Sequence, residues 1–361
     1  AWRSRVCMCV CVKLVDTVGN DSYGESAVIT FDVTDPNVPA DISISDGSPH
    51  GSATLNMTYT SGTDDYGVVS HNVKACEDSG CSADCVGFAN GTKPQVISSL
   101  DDNTAYYACV QTVDVRGNTS IFVASDNTVT TDLGGPTVVA VYSTAADGYY
   151  KVGDSLDIIV TFSEPAYDVG GATLILDNGA VVARSTGDGT ANWTFSYIVE
   201  AAQTSADLDY ANTSALVLGT SIKDAAGNDA NLNLPAINGA GSISDDQAIV
   251  IDTTIPAVAS GVNISEGANH NNSSITVNFS AGTDANAVTH NVKACTDSSC
   301  SAGCVGGNNS GSPSTSSVSG LLDATSYYAC VQTMDAAGNL AAYVASAASI
   351  AIDTTAATVV S

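Results

Sequence analysis

The chain has 361 residues, with 38 acidic and 10 basic side chains and a formal net charge of −28. Binding to nucleic acid or to an anionic membrane surface needs Lys and Arg, so this balance argues against both partners. Apolar residues make up 44% of the chain, too many for a disordered polymer. No apolar run approaches the roughly eighteen residues of a membrane span, so we expect no membrane insertion in this segment.

The first 36 residues allow two interpretations. A signal peptide is one, because two Arg precede a short apolar run, but Lys13 interrupts that run and no small-residue cleavage site follows. The other is the end of a module, because residues 11–16 (CVKLVD) superpose without gaps on residues 109–114 (CVQTVD). We favour the second interpretation. The matching front half is missing, so the state of three cysteines is not predicted: Cys7, Cys9 and Cys11.

A long phrase occurs twice in the chain. Residues 106–118 read YYACVQTVDVRGN and residues 327–339 read YYACVQTMDAAGN. The first half alternates apolar and polar residues, which predicts a half-buried strand. The second half, Asp-x-x-Gly-Asn, predicts a turn. The same turn recurs at residues 16–20 and 224–228, and four copies indicate a tandem array.

A second marker sets the number of modules. Each turn is followed by a strand and then by Asp-x-x-x-Pro, beginning at Asp32, Asp132 and Asp252, while Asp353 is followed by Ala357 in the proline position. About a hundred residues separate successive markers, which is the size of a domain. The predicted divisions are a partial module at 1–36, complete modules at 37–136, 137–256 and 257–356, and the start of a further module at 357–361. The chain is thus interpreted as a segment of a longer protein.

The first complete module reads as a series of short strands separated by Gly, Ser, Asn and Asp. The predicted strands cover residues 41–45, 53–60, 68–76, 95–100, 106–113 and 121–131. Apolar residues alternate with polar ones along them, as expected when one face packs on a core. Short strands at regular spacing predict an all-β fold of antiparallel two-sheet sandwiches, arranged end to end as tandem modules.

Two families resemble this chain. Residues 100–106 (LDDNTAY) resemble the corner before strand F of fibronectin type III domains, in which the tyrosine hydroxyl bonds to the backbone upstream, and residues 321–327 (LLDATSY) repeat it. In the second module, residues 150–165 (YKVGDSLDIIVTFSEP), 193–197 (WTFSY) and 249–256 (IVIDTTIP) look like the bacterial immunoglobulin-like repeats of giant surface adhesins. The resemblance implies a structural stalk in a long protein at the cell surface.

Acidic residues are predicted to meet at the module junctions. In an immunoglobulin-type sandwich the B–C and F–G loops lie at the pole where the previous module enters. We call the segment that carries each Asp-x-x-x-Pro marker a tail, and the Asp of each tail should face these two loops of the next module. The predicted groups are Asp32 with Asp64, Asp65, Asp114 and Asn118; Asp132 with Glu164, Asp224 and Asn228; and Asp252 with Asp284, Asp335 and Asn339. Several carboxylates in one small volume repel unless a cation lies among them, and hard oxygen ligands in this number suit Ca²⁺.

The resemblance to adhesins carries the same implication, because there Ca²⁺ at such junctions stiffens the string of modules. The alternative is that these Asp and Asn residues only form turns and cap strands.

The cysteines of the first and third modules have the same spacing. They are Cys76, Cys81, Cys85 and Cys109, and Cys295, Cys300, Cys304 and Cys330. Each set allows two disulfides or one zinc site with four thiolates. We favour disulfides, because the C-x2-C knuckles of common zinc folds are missing and the acid-rich repeats indicate an extracellular chain. Three pairings are open in each module. We expect Cys109 and Cys330 each to reach a cysteine of the loop after the third strand, with the other two joined locally.

The sequence does not predict an enzyme. His71 and His290 occupy equivalent strand positions and are interpreted as structural, while His50 and His270 stand alone in loops. Neither a nucleophile–base pair nor a glycine-rich phosphate loop is present in a recognisable context.

The incomplete terminal modules suggest an alternative in which subunits complete each other head to tail by strand donation and form an extracellular filament; self-association head to tail or side by side is therefore a possible partnership. A binding module for carbohydrate or host protein would need an exposed aromatic platform. Aromatic residues are 6% of the chain, and most of them occupy strand positions that the alternation of apolar residues assigns to the core. A ligand on a host or neighbouring cell is therefore expected only through regions outside this segment.

Overall fold

A computed structural model describes residues 7–8, 11–25, 29–91, 95–267, 269–310 and 314–356. The predicted all-β fold class is confirmed, since antiparallel sheets supply almost all the regular structure in these ranges. Helix α1, Ile243–Asp246, has four residues. Within the described ranges no helix has the length and apolar character needed to span a membrane. The expected start of a further module, residues 357–361, lies outside the described residues.

The chain divides into two compact units. The first comprises Ala1–Pro136 together with Lys223–Ala230, and the second comprises Thr137–Ile222 together with Asn231–Ser361. The predicted boundaries after residues 36 and 256 fall inside these units and remain predictions. For reference we keep the names first, second and third module for residues 37–136, 137–256 and 257–356.

The N-terminal segment forms two small antiparallel pairs. Strand β1 (Cys7–Met8) pairs with β4 (Ile29–Thr30), and β2 (Cys11–Val15) pairs with β3 (Asp21–Glu25). The predicted turn at residues 16–20 joins β2 to β3.

The first module is a sandwich of two antiparallel sheets. Its strands are β5 (Ala40–Ile44), β6 (Thr54–Thr60), β7 (Val68–Cys76), β8 (Val86–Gly91), β9 (Gln95–Ser98), β10 (Ala105–Asp114) and β11 (Val123–Thr130). One sheet has the order β5-β6-β9 and the other β11-β10-β7-β8. Strand β8 was not predicted, because its sequence VGFANG contains two glycines and lacks a sustained apolar alternation; it forms as an edge strand through pairing with β7.

The core of the first module follows the predicted alternation. Along β6 the side chains are alternately buried and exposed, and Leu55, Ile97, Tyr106 and Val110 are fully buried. Each such apolar side chain contributes about 1.5–3 kcal/mol when it leaves water. The predicted tyrosine corner is confirmed: the Tyr106 hydroxyl accepts a hydrogen bond from the backbone N–H of Asp101 at 3.2 Å.

The second module lies in the second unit apart from its Lys223–Ala230 segment. Its strands are β12 (Val138–Ser143), β13 (Gly148–Tyr150), β14 (Ser155–Asp168), β15 (Thr173–Ile175), β16 (Val181–Thr186), β17 (Thr190–Ile198), β18 (Leu216–Val217), β19 (Ile222–Lys223) and β20 (Ile249–Ile251). The main sheet contains the order β12-β14-β17-β16-β15-β18, and β13 pairs with β20 in parallel. Trp193 is fully buried and meets Phe162 edge to face, with 4.8 Å between ring centroids.

The third module repeats the plan of the first. Its strands are β21 (Ser260–Ile264), β22 (Asn269–His270), β23 (Ser274–Ser280), β24 (Val288–Cys295), β25 (Val305–Ser310), β26 (Thr315–Ser319), β27 (Thr325–Asp335), β28 (Val344–Ala345) and β29 (Ile350–Ile352). One sheet has the order β21-β23-β26 and the other β22-β29-β27-β24-β25. The second tyrosine corner forms as well, since the Tyr327 hydroxyl accepts the backbone N–H of Leu322 at 3.3 Å.

Four disulfides link the cysteines of the first and third modules, so the choice of disulfides over zinc is confirmed. The bonds are Cys76–Cys85, Cys81–Cys109, Cys295–Cys304 and Cys300–Cys330. As expected, Cys109 and Cys330 each pair with a cysteine of the loop, and the other two cysteines of each module close a local ring. Cys9 lies outside the described residues.

Histidines 71 and 290 lie in the sandwich cores. His71 is 5% exposed and His290 is fully buried. The ring of His71 packs against Tyr59 at 4.8 Å, and that of His290 packs against Phe279 at 5.0 Å. These ring contacts agree with a structural role.

Candidate metal centre

The Asp-x-x-Gly-Asn turn is closed by its own side chains. Asp114 Oδ1 accepts the backbone N–H groups of Arg116 at 2.7 Å and Asn118 at 2.9 Å. The Asn118 side chain donates from Nδ2 to Asp114 Oδ2 at 2.8 Å. Gly117 has φ +93°, a conformation that favours glycine. The turn therefore fixes the Asp114 carboxylate in place without the help of a ligand.

In the turns at residues 114–118 and 335–339, the asparagine also holds the tail that carries the Asp-x-x-x-Pro marker. The Asn118 amide donates to the backbone oxygen of Asp32 at 3.3 Å, within the first unit. The Asn339 amide donates to the backbone oxygen of Asp252 at 2.9 Å, within the second unit. The Asp-x-x-Gly-Asn turn and the Asp-x-x-x-Pro marker are thus hydrogen-bonded to each other.

Three carboxylates meet in the first unit. Asp32 from the tail, Asp64 from the loop between β6 and β7, and Asp114 each place a carboxylate oxygen within 4.8 Å of the others. We call these three residues the Asp114 site. Local hydrogen bonds orient the side chains: Asp32 Oδ1 accepts the backbone N–H of Thr34 at 3.1 Å, and Asp64 Oδ1 accepts that of Tyr66 at 2.8 Å.

One carboxylate oxygen of the Asp114 site stands out by its burial. Asp32 Oδ2 is buried and finds no hydrogen-bond partner among the described residues. Burying an ionised carboxylate oxygen without a partner is costly, and the neighbouring negative charges increase the cost. An all-oxygen, acid-rich donor set fits a hard divalent cation such as Ca²⁺. The residues present therefore fit the predicted ion.

The surroundings of the Asp114 site add negative charge. A cavity of about 210 Å³ beside Asp32 and Asp64 is also lined by Asp35, Asp65 and Tyr66. Asp65 was predicted as a ligand; it lies at the cavity wall and is exposed to solvent. Asp35 was not predicted, although it directly precedes the proline of the marker.

The protonation of Asp114 is set by its turn. Burial raises the pKa of this carboxyl, but the Asn118 amide and the backbone N–H groups of Arg116 and Asn118 outweigh that effect, so the pKa lies below its ordinary value. The carboxylate consequently stays ionised at neutral pH and is available to a cation.

An equivalent set lies in the second unit. Asp252, Asp284 and Asp335 place carboxylate oxygens within 4.8 Å of one another, and we call them the Asp335 site. Asp252 and Asp335 are 4% and 3% exposed. Asn339 donates from Nδ2 to Asp335 Oδ2 at 2.9 Å, so it orients the Asp335 carboxylate as Asn118 orients that of Asp114.

Sequence reasoning missed one residue of the Asp335 site. Asn286 donates from Nδ2 to Asp252 Oδ2 at 2.7 Å, and its backbone N–H donates to Asp284 Oδ1 at 3.0 Å. No local pattern marks this role, because the residue at the aligned position in the first module, two residues after Asp64, is Tyr66.

The remaining predicted group is divided between the two units and stays a prediction. In the first unit Asn228 donates from Nδ2 to the backbone oxygen of Asp132 at 2.7 Å. Burial, followed by the negative charges of Asp224 and Asp102, raises the pKa of Asp132. In the second unit Glu164 is half-buried within β14. Its predicted loop position is wrong, because β14 continues beyond it to Asp168.

Comparisons with known proteins find similarity to solved structures alone. No protein-family model matches it, and no curated protein matches it. Among solved structures it is similar to the FN1-FN3 domains of chicken CNTN1, with 14% identity, a TM-score of 0.29, and coverage of 88% of this chain and 99% of that chain. It is also similar to a run of domains from titin, with 15% identity, a TM-score of 0.36 and coverage of 88% and 99%.

A further match is the chitinase ChiA74 from Bacillus thuringiensis, with 18% identity and a TM-score of 0.22 over 56% of this chain and 29% of that chain. Similarity this low assigns no function to the chain.

Proposed function

We propose that this chain is a spacer segment of a long extracellular bacterial surface protein of the adhesin type, and that Ca²⁺ bound at its acidic sites stiffens it. The observation that carries the proposal is the Asp114 site, in which three carboxylates converge around the buried, unpartnered Asp32 Oδ2. A purely turn-forming role would leave that oxygen and the mutual repulsion uncompensated.

The stiffening follows from where the ligands lie in the sequence. Asp32 belongs to the tail before the first module, whereas Asp64 lies in a loop of that module and Asp114 is the last residue of its strand β10. A cation bound by all three would supply an electrostatic cross-link between the tail and the module. The turn already holds the tail through the Asn118 amide, and the cation would add a stronger, non-directional attraction at the same place.

The disulfides support the extracellular part of the proposal. Four disulfides in one chain are typical of an oxidising compartment, and the strongly acidic composition suits a surface exposed to millimolar divalent cations. In an array of modules the stability is close to a sum of module and neighbour terms, so cross-links within modules and at their ends both resist mechanical unfolding.

Calcium binding is tested by thermal unfolding of the whole chain in Ca²⁺ and in EDTA. A ligand that binds only the folded state stabilises it by about 2.7 kcal/mol at a hundredfold excess over Kd, so we expect a higher Tm in Ca²⁺. The variant Asp64→Asn removes one charge from the Asp114 site and should reduce the gain. The matched control is Asp126→Asn, an exposed acid outside the site, which should keep it. Equal Tm values for the wild-type chain in the two buffers would contradict the calcium proposal.

Stiffness and context need separate measurements. Small-angle scattering should show a more flexible particle after chelation if calcium stiffens the segment. The intact mass of the secreted protein from its source should greatly exceed that of this chain if the chain is a spacer. A species of about the mass of this chain alone would contradict the spacer proposal without bearing on calcium binding.

A further inference from the structure

The Asp114 and Asp335 sites share one frame but differ at a single contact. In the Asp335 site, Asn286 donates from Nδ2 to Asp252 Oδ2 at 2.7 Å. In the Asp114 site the equivalent oxygen, Asp32 Oδ2, is buried and has no hydrogen-bond partner in the part of the chain that the structure describes. The position that Asn286 occupies is taken there by Tyr66. One site therefore contains an internal donor where the other has none.

The acidic residues around the two sites differ in the same direction, although the Asp114 turn also contains Arg116 where the Asp335 turn has Ala337. The Asp114 site is flanked by Asp35 and Asp65, which line the adjoining cavity, whereas the aligned positions near the Asp335 site are Ile255 and Ala285. Two further acids near the Asp114 site strengthen its attraction for a cation.

A lysine also reaches the turn that carries Asp335. Lys151 Nζ donates to the backbone oxygen of Gly338 at 3.0 Å, within the second unit. An ammonium group on this turn competes with a divalent cation for the same negative potential.

We infer that the two sites differ in affinity, with Asn286 acting as an internal substitute for the cation at the Asp335 site. In the metal-free chain its amide satisfies Asp252, and a cation must displace that hydrogen bond before it binds. Among the described residues the Asp114 site has no such substitute, so it takes the cation first. This inference rests on the proposed calcium binding and adds an order of filling to it.

The size of the effect follows from the contact that is displaced. A hydrogen bond to a charged group changes an equilibrium by about ten- to a hundredfold. We therefore expect the Asp335 site to bind Ca²⁺ about ten- to a hundredfold more weakly than the Asp114 site.

The test is titration of the whole chain with Ca²⁺ by isothermal calorimetry. Asp64→Asn should remove a tight class of sites, and Asp284→Asn should remove a weaker one. Asn286→Ala should tighten the weaker class about ten- to a hundredfold, while Asn263→Ala, an exposed asparagine of the same module, should leave it unchanged. The reciprocal variant Tyr66→Asn should weaken the tight class.

A second readout separates a substitute for the cation from a ligand to it. Without the Asn286 amide, Asp252 Oδ2 loses its donor while Oδ1 keeps the backbone N–H of Thr254. Asn286→Ala should therefore lower the Tm in EDTA and enlarge the gain in Tm on adding Ca²⁺. Weaker or unchanged Ca²⁺ binding in Asn286→Ala would overturn the inference, as would equal affinity at the two sites. No heat of binding for the wild-type chain would instead overturn the calcium proposal itself.

Discussion

The side-chain amide of Asn127 bonds both main-chain groups of Ile44. Its Oδ1 accepts the N–H of Ile44 and its Nδ2 donates to the oxygen of Ile44, each at 3.1 Å. Asn127 thereby presents to edge strand β5 the donor and acceptor that a neighbouring strand would present. The aligned residue in the third module is Ala348, which lies beside a cavity of about 290 Å³ lined in part by Ile264.

Exchanging these residues should change the stability of the two modules in opposite directions. Asn127→Ala removes the two hydrogen bonds to Ile44 and should lower the free energy of unfolding of the first module by about 1–3 kcal/mol. Ala348→Asn supplies the same amide to the third module and should raise its stability by about 1 kcal/mol. Urea unfolding measures both changes. Thr128→Ala, at the exposed neighbouring position, is the control. A third module destabilised by Ala348→Asn would contradict the proposed role of the side-chain amide.

The two disulfides of the first module should differ in their contribution. Cys81 and Cys109 are 28 residues apart, and Cys76 and Cys85 are 9 apart. Loop-closure entropy gives about 3.6 kcal/mol for the longer ring and about 2.6 kcal/mol for the shorter. We therefore expect Cys81→Ala with Cys109→Ala to lower the Tm more than Cys76→Ala with Cys85→Ala.

The same chain offers a chemical check on these bonds. Mass spectrometry of a non-reduced digest should recover the paired peptides of both disulfides. Peptides joined in another pairing would contradict the connectivity, and equal losses of stability in the two double variants would contradict the entropic argument.

The tyrosine corner makes a smaller but well-defined contribution. The Tyr106 ring is fully buried, and its hydroxyl accepts the N–H of Asp101. Tyr106→Phe keeps the ring and removes that bond, so the free energy of unfolding should fall by about 1 kcal/mol. Tyr107→Phe, on the neighbouring half-buried ring, is the control. Equal stability of Tyr106→Phe and the wild-type chain would show that the hydroxyl bond contributes nothing.

Local chemistry explains which features could be predicted from the sequence. The turn at Asp114 is closed by hydrogen bonds within five residues, and the corner at Tyr106 is closed by a hydrogen bond to a residue five positions upstream. Both features can therefore be predicted from a short stretch of sequence. The acidic clusters were predicted from the fold class, because the B–C and F–G loops of an immunoglobulin-type sandwich lie at the pole where the previous module enters.

Features that depend on contacts between distant segments could not be predicted in this way. Strand β8 forms because β7 offers it an edge, despite a sequence rich in glycine. Asn286 reaches Asp252 across 34 positions of the chain, and no local pattern marks that contact. Glu164 was placed in a loop, yet β14 carries it in a strand whose pairing with β17 shifts register between Thr161 and Ala166. The filament alternative rests on the termini and remains a prediction.

A buried tyrosine in the second module gives the chain a specific response to alkali. Tyr210 is fully buried, and its hydroxyl donates to the backbone oxygen of Pro235 at 2.6 Å. Burial, with a further effect from the negative charge of Asp209, raises the pKa of Tyr210 from 10.0 to about 12. The folded state thus holds this proton more tightly than the unfolded state does.

The sign of the pH dependence follows by linkage. A group whose pKa is higher in the folded chain contributes stability that is complete below the unfolded pKa and is lost as the pH rises through the folded pKa. Wild-type stability should therefore exceed that of Tyr210→Phe at pH 8, and the difference should shrink between pH 10 and pH 12. Urea unfolding at a series of pH values measures this difference, with Tyr149→Phe, an exposed tyrosine, as the control. A difference that stays constant across that range would show that the Tyr210 proton is not held more tightly by the fold.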